Sequence, residues 1–150
     1  MDTIGPILPD SITCRVLRAR LIRRPKLSGI PGWHYGIALF ESVDVPIWVI
    51  DVTKNATPVG RTPAEFASEK RYELGREVVS GSALAEVFER VDEIASGRKP
   101  WDYELLCRNC EHLARYLLLG REESEQVQTW FGLALVGLLV LASKNGGVAA

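Results

Sequence analysis

The chain has 150 residues, of which 47% are hydrophobic and 25% are charged. A chain of this length and composition can bury one hydrophobic core, so we expect a globular protein and neither a disordered nor a fibrous one. The formal net charge of −1 lacks the pronounced basic excess of nucleic-acid-binding proteins. The composition therefore predicts no nucleic-acid partner.

The cysteines are three in number, at positions 14, 107 and 110, and this odd count argues against a disulfide framework. The first sixteen residues lack the charged start and the continuous apolar stretch of a signal peptide. Together these features predict reduced thiols and a cytoplasmic protein.

The N-terminal third of the sequence predicts strands. Residues 12–21 are apolar and basic by turns, which predicts an edge strand followed by a loop over 23–32. "WHYGIALF" (33–40) and "IWVIDV" (47–52) are rich in β-formers and flank an acidic stretch that ends in proline, so they predict a β-hairpin.

Six basic residues fall close together in the same region, and a solvated face is the ordinary interpretation of such a group. The alternative is a basic lip that faces anionic headgroups. The six are Arg15, Arg18, Arg20, Arg23, Arg24 and Lys26.

The middle of the chain predicts helices. Residues 54–81 are predicted to form a polar segment with few core residues. Within it, Thr62, Pro63 and Glu65 predict a helix start with a capping box. Residues 82–97 form the clearest helical pattern, with Ser82 as the predicted cap and Gly97 as the predicted end. Its predicted buried stripe consists of Leu84, Val87, Phe88, Val91 and Ala95.

Two further helices are predicted over 109–119, ended by Gly120, and over 124–143, capped by Ser124. Residues 129–143 are uncharged and mostly apolar, but at about 1.5 Å per residue they are shorter than a hydrocarbon core about 30 Å thick. Either a helix that packs in the core or against another copy, or a short membrane-associated tail, fits this pattern. We divide the chain accordingly into a domain over 1–128 and a C-terminal segment over 129–150.

The hexapeptide "CRNCEH" (107–112) admits three interpretations: a metal site, a catalytic nucleophile and ordinary core. Cys107 and Cys110 have the C-x2-C spacing of a zinc site, and His112, Cys14 or His34 are the available further ligands. A second ligand pair at characteristic spacing is missing. The sequence therefore predicts no metal and no cofactor, and Cys107 is interpreted as core.

The nucleophile interpretation requires a thiol at a helix start, where the free amide groups and the helix dipole favour thiolate. Cys110 meets this requirement because Asn109, directly before it, is a good capping residue. His112 is two residues away and would point about 200° around the helix, so it pairs poorly with Cys110. His34, in the first hairpin strand, is the remaining candidate base.

The hairpin also offers an acid. If Phe40 pairs with Ile47, Gly36 lies opposite Asp51, and Asp51 becomes the same-face diagonal neighbour of His34, with Cβ atoms about 7–8 Å apart or less. A register shift of one residue would put the two side chains on opposite faces. Asp51 stands in an otherwise apolar strand, and a buried acid needs such a partner.

"HYGIAL", "WVID" and "YELLCRNCEHLARYLLLG" followed by "SEQV" resemble the permuted papain-like thiol enzymes of the lecithin:retinol acyltransferase (NlpC-type) family, over residues 28–127. The resemblance implies an α+β, circularly permuted papain-like fold, with an antiparallel sheet packed against the nucleophile helix and a C-terminal apolar helix. It implies Cys110 as nucleophile and His34 as base. Many such acyltransferases carry a histidine where this chain has Asp51, and a phenylalanine where it has Leu113.

The function that this resemblance implies is a thiol-dependent acyltransferase or phospholipase-type hydrolase. The enzyme would form an acyl-thioester on Cys110, with Asp51 orienting His34. Its partner would be an acyl-bearing small molecule or a phospholipid at a membrane surface. Two alternatives stay open: a cysteine peptidase or amidase on the same fold, and an inactive scaffold.

Overall fold

The protein is described by a computed structural model that covers residues 7–27, 31–42, 45–53, 57–101, 109–121 and 125–145; in the last range, side chains are described for 131–141. The described residues form a mixed α+β structure with one antiparallel sheet. Its strands are β1 (Arg18–Pro25), β2 (Trp33–Phe40), β3 (Pro46–Val52), β4 (Pro58–Arg61) and β5 (Glu73–Ser80). Its helices are α1 (Asp10–Thr13), α2 (Pro63–Ala67), α3 (Ser82–Ala95), α4 (Cys110–Leu119) and α5 (Glu125–Asn145).

The five strands lie in the order β4-β3-β2-β1-β5. The predicted hairpin is confirmed as β2 and β3. The predicted edge strand over 12–21 is wrong, because β1 starts at Arg18 and pairs with β2 on one side and β5 on the other. The alternation of basic and apolar residues predicted a strand with one backbone edge open to solvent, yet both edges of β1 are paired with neighbouring strands.

The prediction that residues 54–81 form a polar segment with few core residues is also wrong. This region supplies β4, α2 and the edge strand β5, and Phe66 of α2 is fully buried. Most side chains of β5 are exposed, so this strand lacks the apolar pattern by which strands are recognised. The capping box of α2 is confirmed, with the Thr62 hydroxyl accepting from the Glu65 amide and the Glu65 carboxylate accepting from the Thr62 amide.

The sheet is covered on both faces. The larger core lies on one face, where α3 and α4 pack, and includes Ile37, Leu39, Val87 and Leu117. A smaller cluster lies on the opposite face under α2, where Phe66 contacts the sheet among Ile22, Ala38, Phe40 and Val49. Because α4 is buried along almost its whole length, its first residue is held firmly against the sheet.

The helix α3 agrees with the predicted one except at its start and in its stripe. Gly81, with a φ of 60°, is the N-cap, and Ser82 is the first helical residue and not the predicted cap. Ile94 is buried in place of the predicted Ala95, which is half-buried. Gly97 has a φ of 73° just after the helix, as predicted for its end.

The helix α5 differs from all others because every side chain described in it is exposed. The exposed residues between 131 and 141 include Phe131, Leu133, Leu138 and Leu141, each at least 61% accessible. The interpretation that this segment packs into the core of its own chain is therefore wrong. Among the described residues, no helix has the length and apolar character needed to cross a membrane.

Candidate active site

The first turn of α4 holds Cys110 at a fixed position. Asn109 is the N-cap, as predicted, and its side-chain oxygen accepts hydrogen bonds from the backbone N–H groups of Glu111 at 2.9 Å and His112 at 3.2 Å. Cys110 is the first helical residue and only 3% of it is exposed. The thiol therefore lies at the positive end of a helix dipole, which favours its ionised form.

The Cys110 thiol lies against the start of β2. Its Sγ is 3.9 Å from the carbonyl oxygen of Trp33, and it accepts a hydrogen bond from the backbone N–H of Tyr35. The side chain of His34, between these two residues, is close enough to Cys110 that each group shifts the pKa of the other. The predicted pairing of Cys110 with His34 is therefore present in the folded protein.

Asp51 completes the predicted constellation. Its Oδ1 is 2.6 Å from Nε2 of His34, and the residue is 5% exposed. The predicted register of Gly36 opposite Asp51 is confirmed, whereas Phe40 pairs with Pro46 and not with Ile47 because the ladder is irregular after Leu39. Since Nε2 is bonded to Asp51, Nδ1 is the nitrogen left to exchange a proton with the thiol.

Gly36 makes room for this contact. It lies opposite Asp51 and has no side chain, so the carboxylate can lean towards its diagonal neighbour His34. A Cβ atom at this position would lie 2.8 Å from the Ile50 carbonyl oxygen and 3.1 Å from the Phe66 ring. Any larger residue at position 36 would therefore push both the strand and α2 away from the site.

Arg61 is a site residue that sequence reasoning missed. It lies at the end of β4, and its Nε donates a 2.7 Å hydrogen bond to Oδ2 of Asp51. Each oxygen of the buried carboxylate thus has one cationic or polar partner, as a buried charge requires. The contact depends on the pairing of β3 with β4. Arg61 lies opposite Val49, and Asp51 is two residues further along β3, on the same face of the sheet. Recognition of β4 in the sequence would therefore have revealed the contact.

The protonation states follow from these contacts. Burial disfavours the charged imidazole, but the hydrogen bonds and negative charges of Asp51 and Cys110 outweigh it and raise the pKa of His34 to about 9. Burial also opposes ionisation of Cys110, yet the hydrogen bond and positive charge of His34 lower the pKa of the thiol. The pKa of Asp51 is likewise lowered, against burial, by His34 and Arg61. The cluster therefore favours a thiolate–imidazolium pair.

His112, the histidine of the hexapeptide, makes its described contact outside this cluster. His112 turns its Nδ1 to the Asn109 side chain at 3.2 Å, and Cys107 lies outside the described residues. Cys14 is exposed. Within the described ranges, no group of three or more His, Cys, Asp and Glu side chains is arranged to hold a metal ion.

A cavity of about 530 Å³ lies between β1, the edge strand β5 and α4. This volume is within the range of small-molecule pockets. Tyr35, whose backbone contacts the Cys110 sulfur, is one of its lining residues, together with Arg23, Arg76 and Arg115. Tyr35 therefore connects the lining of this cavity to the candidate site.

The basic residues of the N-terminal region do not form one continuous lip. Because strand side chains alternate, Arg20 and Arg23 project from opposite faces of β1. Arg23 is 2.7 Å from the Glu73 carboxylate. Arg15, before the strand, pairs with Glu41. Several of these charges are thus neutralised within the protein.

No known protein family matches this sequence, and no curated protein or solved structure is significantly similar to it. The function of the protein is therefore inferred from the arrangement of the chain's own residues.

Proposed function

We propose that the protein is a thiol-dependent acyltransferase or acyl hydrolase with a circularly permuted papain-like fold. Cys110 is the nucleophile, His34 the general base and Asp51 the residue that orients the base. The observation that carries the proposal is the buried series of contacts from Cys110 through His34 to the Asp51 carboxylate, 2.6 Å from the imidazole. A nucleophile, a base within reach and a group that orients the base are the requirements of covalent acyl transfer.

In the resting thiolate–imidazolium pair the thiol proton already lies on Nδ1 of His34. The thiolate attacks the acyl carbonyl carbon, forming an S–C bond, and the backbone N–H of Cys110 at the start of α4 donates to the oxyanion. The bond to the leaving alcohol or amine breaks, and this group takes the proton from His34. Water or an acceptor alcohol or amine then attacks the thioester, His34 takes its proton, and the Cys110 thiol is restored.

A lipid ester is the substrate class that we favour. The exposed apolar side chains of α5, between 131 and 141, would bring the protein to a membrane surface, where such esters are located. A peptidase or amidase would need no such segment. The membrane surface is part of the proposal, and the acyl donor is identified here only as a carboxylic ester of a lipid.

The test is capture of the acyl-enzyme. We expect p-nitrophenyl butyrate to add a butyryl group to Cys110, visible by mass spectrometry of the tryptic peptide 109–115, which contains one cysteine. Cys110→Ala should abolish both the adduct and ester turnover. Because Cys14 is exposed and distant from His34, Cys14→Ala is the matched control and should retain both.

A further variant, at His34, tests the role of the base. His34→Ala should leave the fold intact and lower the acylation rate by about 10²-fold or more, the usual contribution of a general base. A folded protein in which Cys110→Ala turns over esters as fast as the wild type would contradict the proposal and favour a scaffold. Turnover of an amide in preference to the matching ester would instead favour a peptidase or amidase.

A further inference from the structure

Arg24 is the residue on β1 directly opposite His34 in the β1–β2 ladder. Directly opposite residues of neighbouring strands project from the same face of the sheet, with Cβ atoms about 4.5–5.5 Å apart. The side chain of Arg24 therefore emerges beside the proposed base, on the face that carries α2.

One aromatic ring positions both side chains. The imidazole of His34 stacks on Phe66 with ring centroids 5.8 Å apart, and the guanidinium carbon of Arg24 lies 5.5 Å from the centroid of the same ring. Phe66 is fully buried, so it cannot move away without opening the smaller core. The distance between the guanidinium and the imidazole is thus fixed by packing.

The guanidinium of Arg24 is incompletely satisfied. Its Nε is buried and has no hydrogen-bond partner, and its Nη1 donates to the Pro25 carbonyl oxygen at 3.2 Å. By contrast, Arg23 and Arg61 each bind a carboxylate. No carboxylate in the described part of the chain pairs with Arg24. A buried donor without an acceptor is costly, and an anionic ligand would satisfy it.

Lys26 adds a second positive charge at the same end of β1. It lies two residues beyond Arg24, and its backbone N–H is held by the Gly32 carbonyl oxygen at 3.0 Å. Its charge contributes, after the effects of burial, His34 and Tyr35, to lowering the pKa of Cys110. No ion pair joins Lys26 to an acid among the described residues. Two cations without acidic partners therefore flank the proposed catalytic pair.

We propose that Arg24 and Lys26 bind an anionic group of the acyl substrate, a phosphate or a carboxylate, next to Cys110. This inference rests on the proposed function and makes it more specific, because it selects charged acyl substrates over neutral esters of the same chain. Arg24 would supply directed hydrogen bonds and Lys26 a point charge.

The test compares two alkylating reagents that differ in charge. Iodoacetate and iodoacetamide react alike: the thiolate forms a bond to the methylene carbon and iodide leaves. The neutral reagent reports how much of Cys110 is ionised, so the ratio of the two rate constants isolates attraction of the anion. The ratio is read at Cys110 alone from the tryptic peptide 109–115 of the full chain.

We expect Arg24→Gln and Lys26→Gln each to lower this ratio by about three- to tenfold, the effect of removing one charge a few ångströms away in a partly solvated site. High salt should lower the wild-type ratio in the same direction. Arg24→Lys should retain part of the preference. The matched control is Arg18→Gln, at the far end of the same strand, which should leave the ratio unchanged.

Ratios that are equal in the wild type, Arg24→Gln and Lys26→Gln would overturn the proposal. If Arg24→Gln fails to fold, the ratio in Lys26→Gln and its salt dependence in the wild type still test the anion site. The outcome is independent of catalysis: an enzyme with an unchanged ratio contradicts the anion site alone. A charge-dependent ratio in a protein without ester turnover contradicts the proposed activity alone.

Protection of Cys110 against iodoacetamide then identifies the anion. Protection by monomeric dihexanoyl phosphatidylglycerol, but not by inorganic phosphate or dihexanoylglycerol, would assign a lipid phosphate. Protection by inorganic phosphate at similar concentration would assign a free phosphate. A preference for iodoacetate without protection by either phosphate compound would assign a carboxylate.

Discussion

The helices α4 and α5 are both rich in apolar residues, but the apolar side chains of α4 are buried and those described in α5 are exposed. In α4, Leu113 and Leu117 are completely buried, and the polar residues near its start have hydrogen-bond partners. In α5, Leu138 and Leu139 are 64% and 61% exposed. The first helix gains its stability from the sheet and in turn fixes Cys110. The second has a surface that only something outside the described chain could cover.

This contrast predicts that the same substitution, leucine to alanine, lowers the free energy of unfolding much more in α4 than in α5. Leu117→Ala should lower the free energy of unfolding by about 2–5 kcal/mol, because it removes buried methyl groups and leaves a cavity. Leu138→Ala should change it by less than about 0.5 kcal/mol, as for other exposed positions. Urea unfolding followed by circular dichroism measures both.

Equal destabilisation by the two substitutions would show that α5 is packed in solution. A destabilisation by Leu138→Ala that grows with protein concentration would favour packing of α5 against a second copy of the chain.

Removal of residues 125–150 tests what the exposed helix is for. Since none of the described core residues belongs to α5, and all the side chains described in it, between 131 and 141, are exposed, the truncated protein should unfold at the same urea concentration as the full chain. We expect it to lose co-sedimentation with phospholipid vesicles, because the apolar surface that would enter the interface is gone. The control is Leu138→Ala, which should reduce vesicle binding only slightly. Absence of vesicle binding by the full chain would contradict the proposed membrane surface.

The sequence predicted well where its signals are local. The Asn109 cap, the Gly120 end of α4 and the capping box at Thr62 depend on residues a few positions apart, and all three are present. The hairpin register was a conditional prediction from a pairing of Phe40 with Ile47; that pairing is wrong, but Gly36 does lie opposite Asp51, which places Asp51 beside His34.

The parts that failed depend on pairing between distant segments. The strand β5 returns to β1 from about fifty residues away, and its exposed side chains carry no periodic signal. Because β4 was not recognised, Arg61 could not be assigned to the site, and although the start of α2 was predicted, the packing of Phe66 against His34 was not. The sequence therefore identified the three residues of the candidate site, and it missed the residues that hold them in place.

The coupled titration of the site predicts a pH dependence of stability. His34 has a raised pKa in the folded state, so its stabilisation is fully present below its ordinary value of 6.5 and is lost as the pH rises through about 9. Cys110 has a lowered pKa, so its stabilisation is present above its ordinary value of 9.0 and is lost as the pH falls through the folded value. Between these limits the two contributions oppose each other.

In Cys110→Ala only the histidine contribution remains. Asp51 still raises the pKa of His34 although Cys110 no longer does, so as the pH rises from 6.5 the variant should lose about 1–2 kcal/mol of stability relative to the wild type before pH 9 is reached. Urea unfolding at several pH values measures the two slopes. Cys14→Ala serves as the control and should follow the wild type, and identical slopes in Cys110→Ala would mean that the thiol and the imidazole titrate independently.

The smallest expected effect concerns Arg61, which touches Asp51 and not the reacting atoms. Because Arg61 holds the pKa of Asp51 low, Arg61→Gln lets this carboxyl take up a proton at higher pH, and His34 then loses its anionic partner. The acid limb of Cys110 alkylation should move to higher pH and the rate at pH 5 should fall by up to about fivefold, consistent with a pair whose arginine is 39% exposed. Arg61→Lys should recover part of the rate, since it restores the charge but not the directed hydrogen bond. A purely structural role would lower the melting temperature and leave the shape of the pH profile as it is.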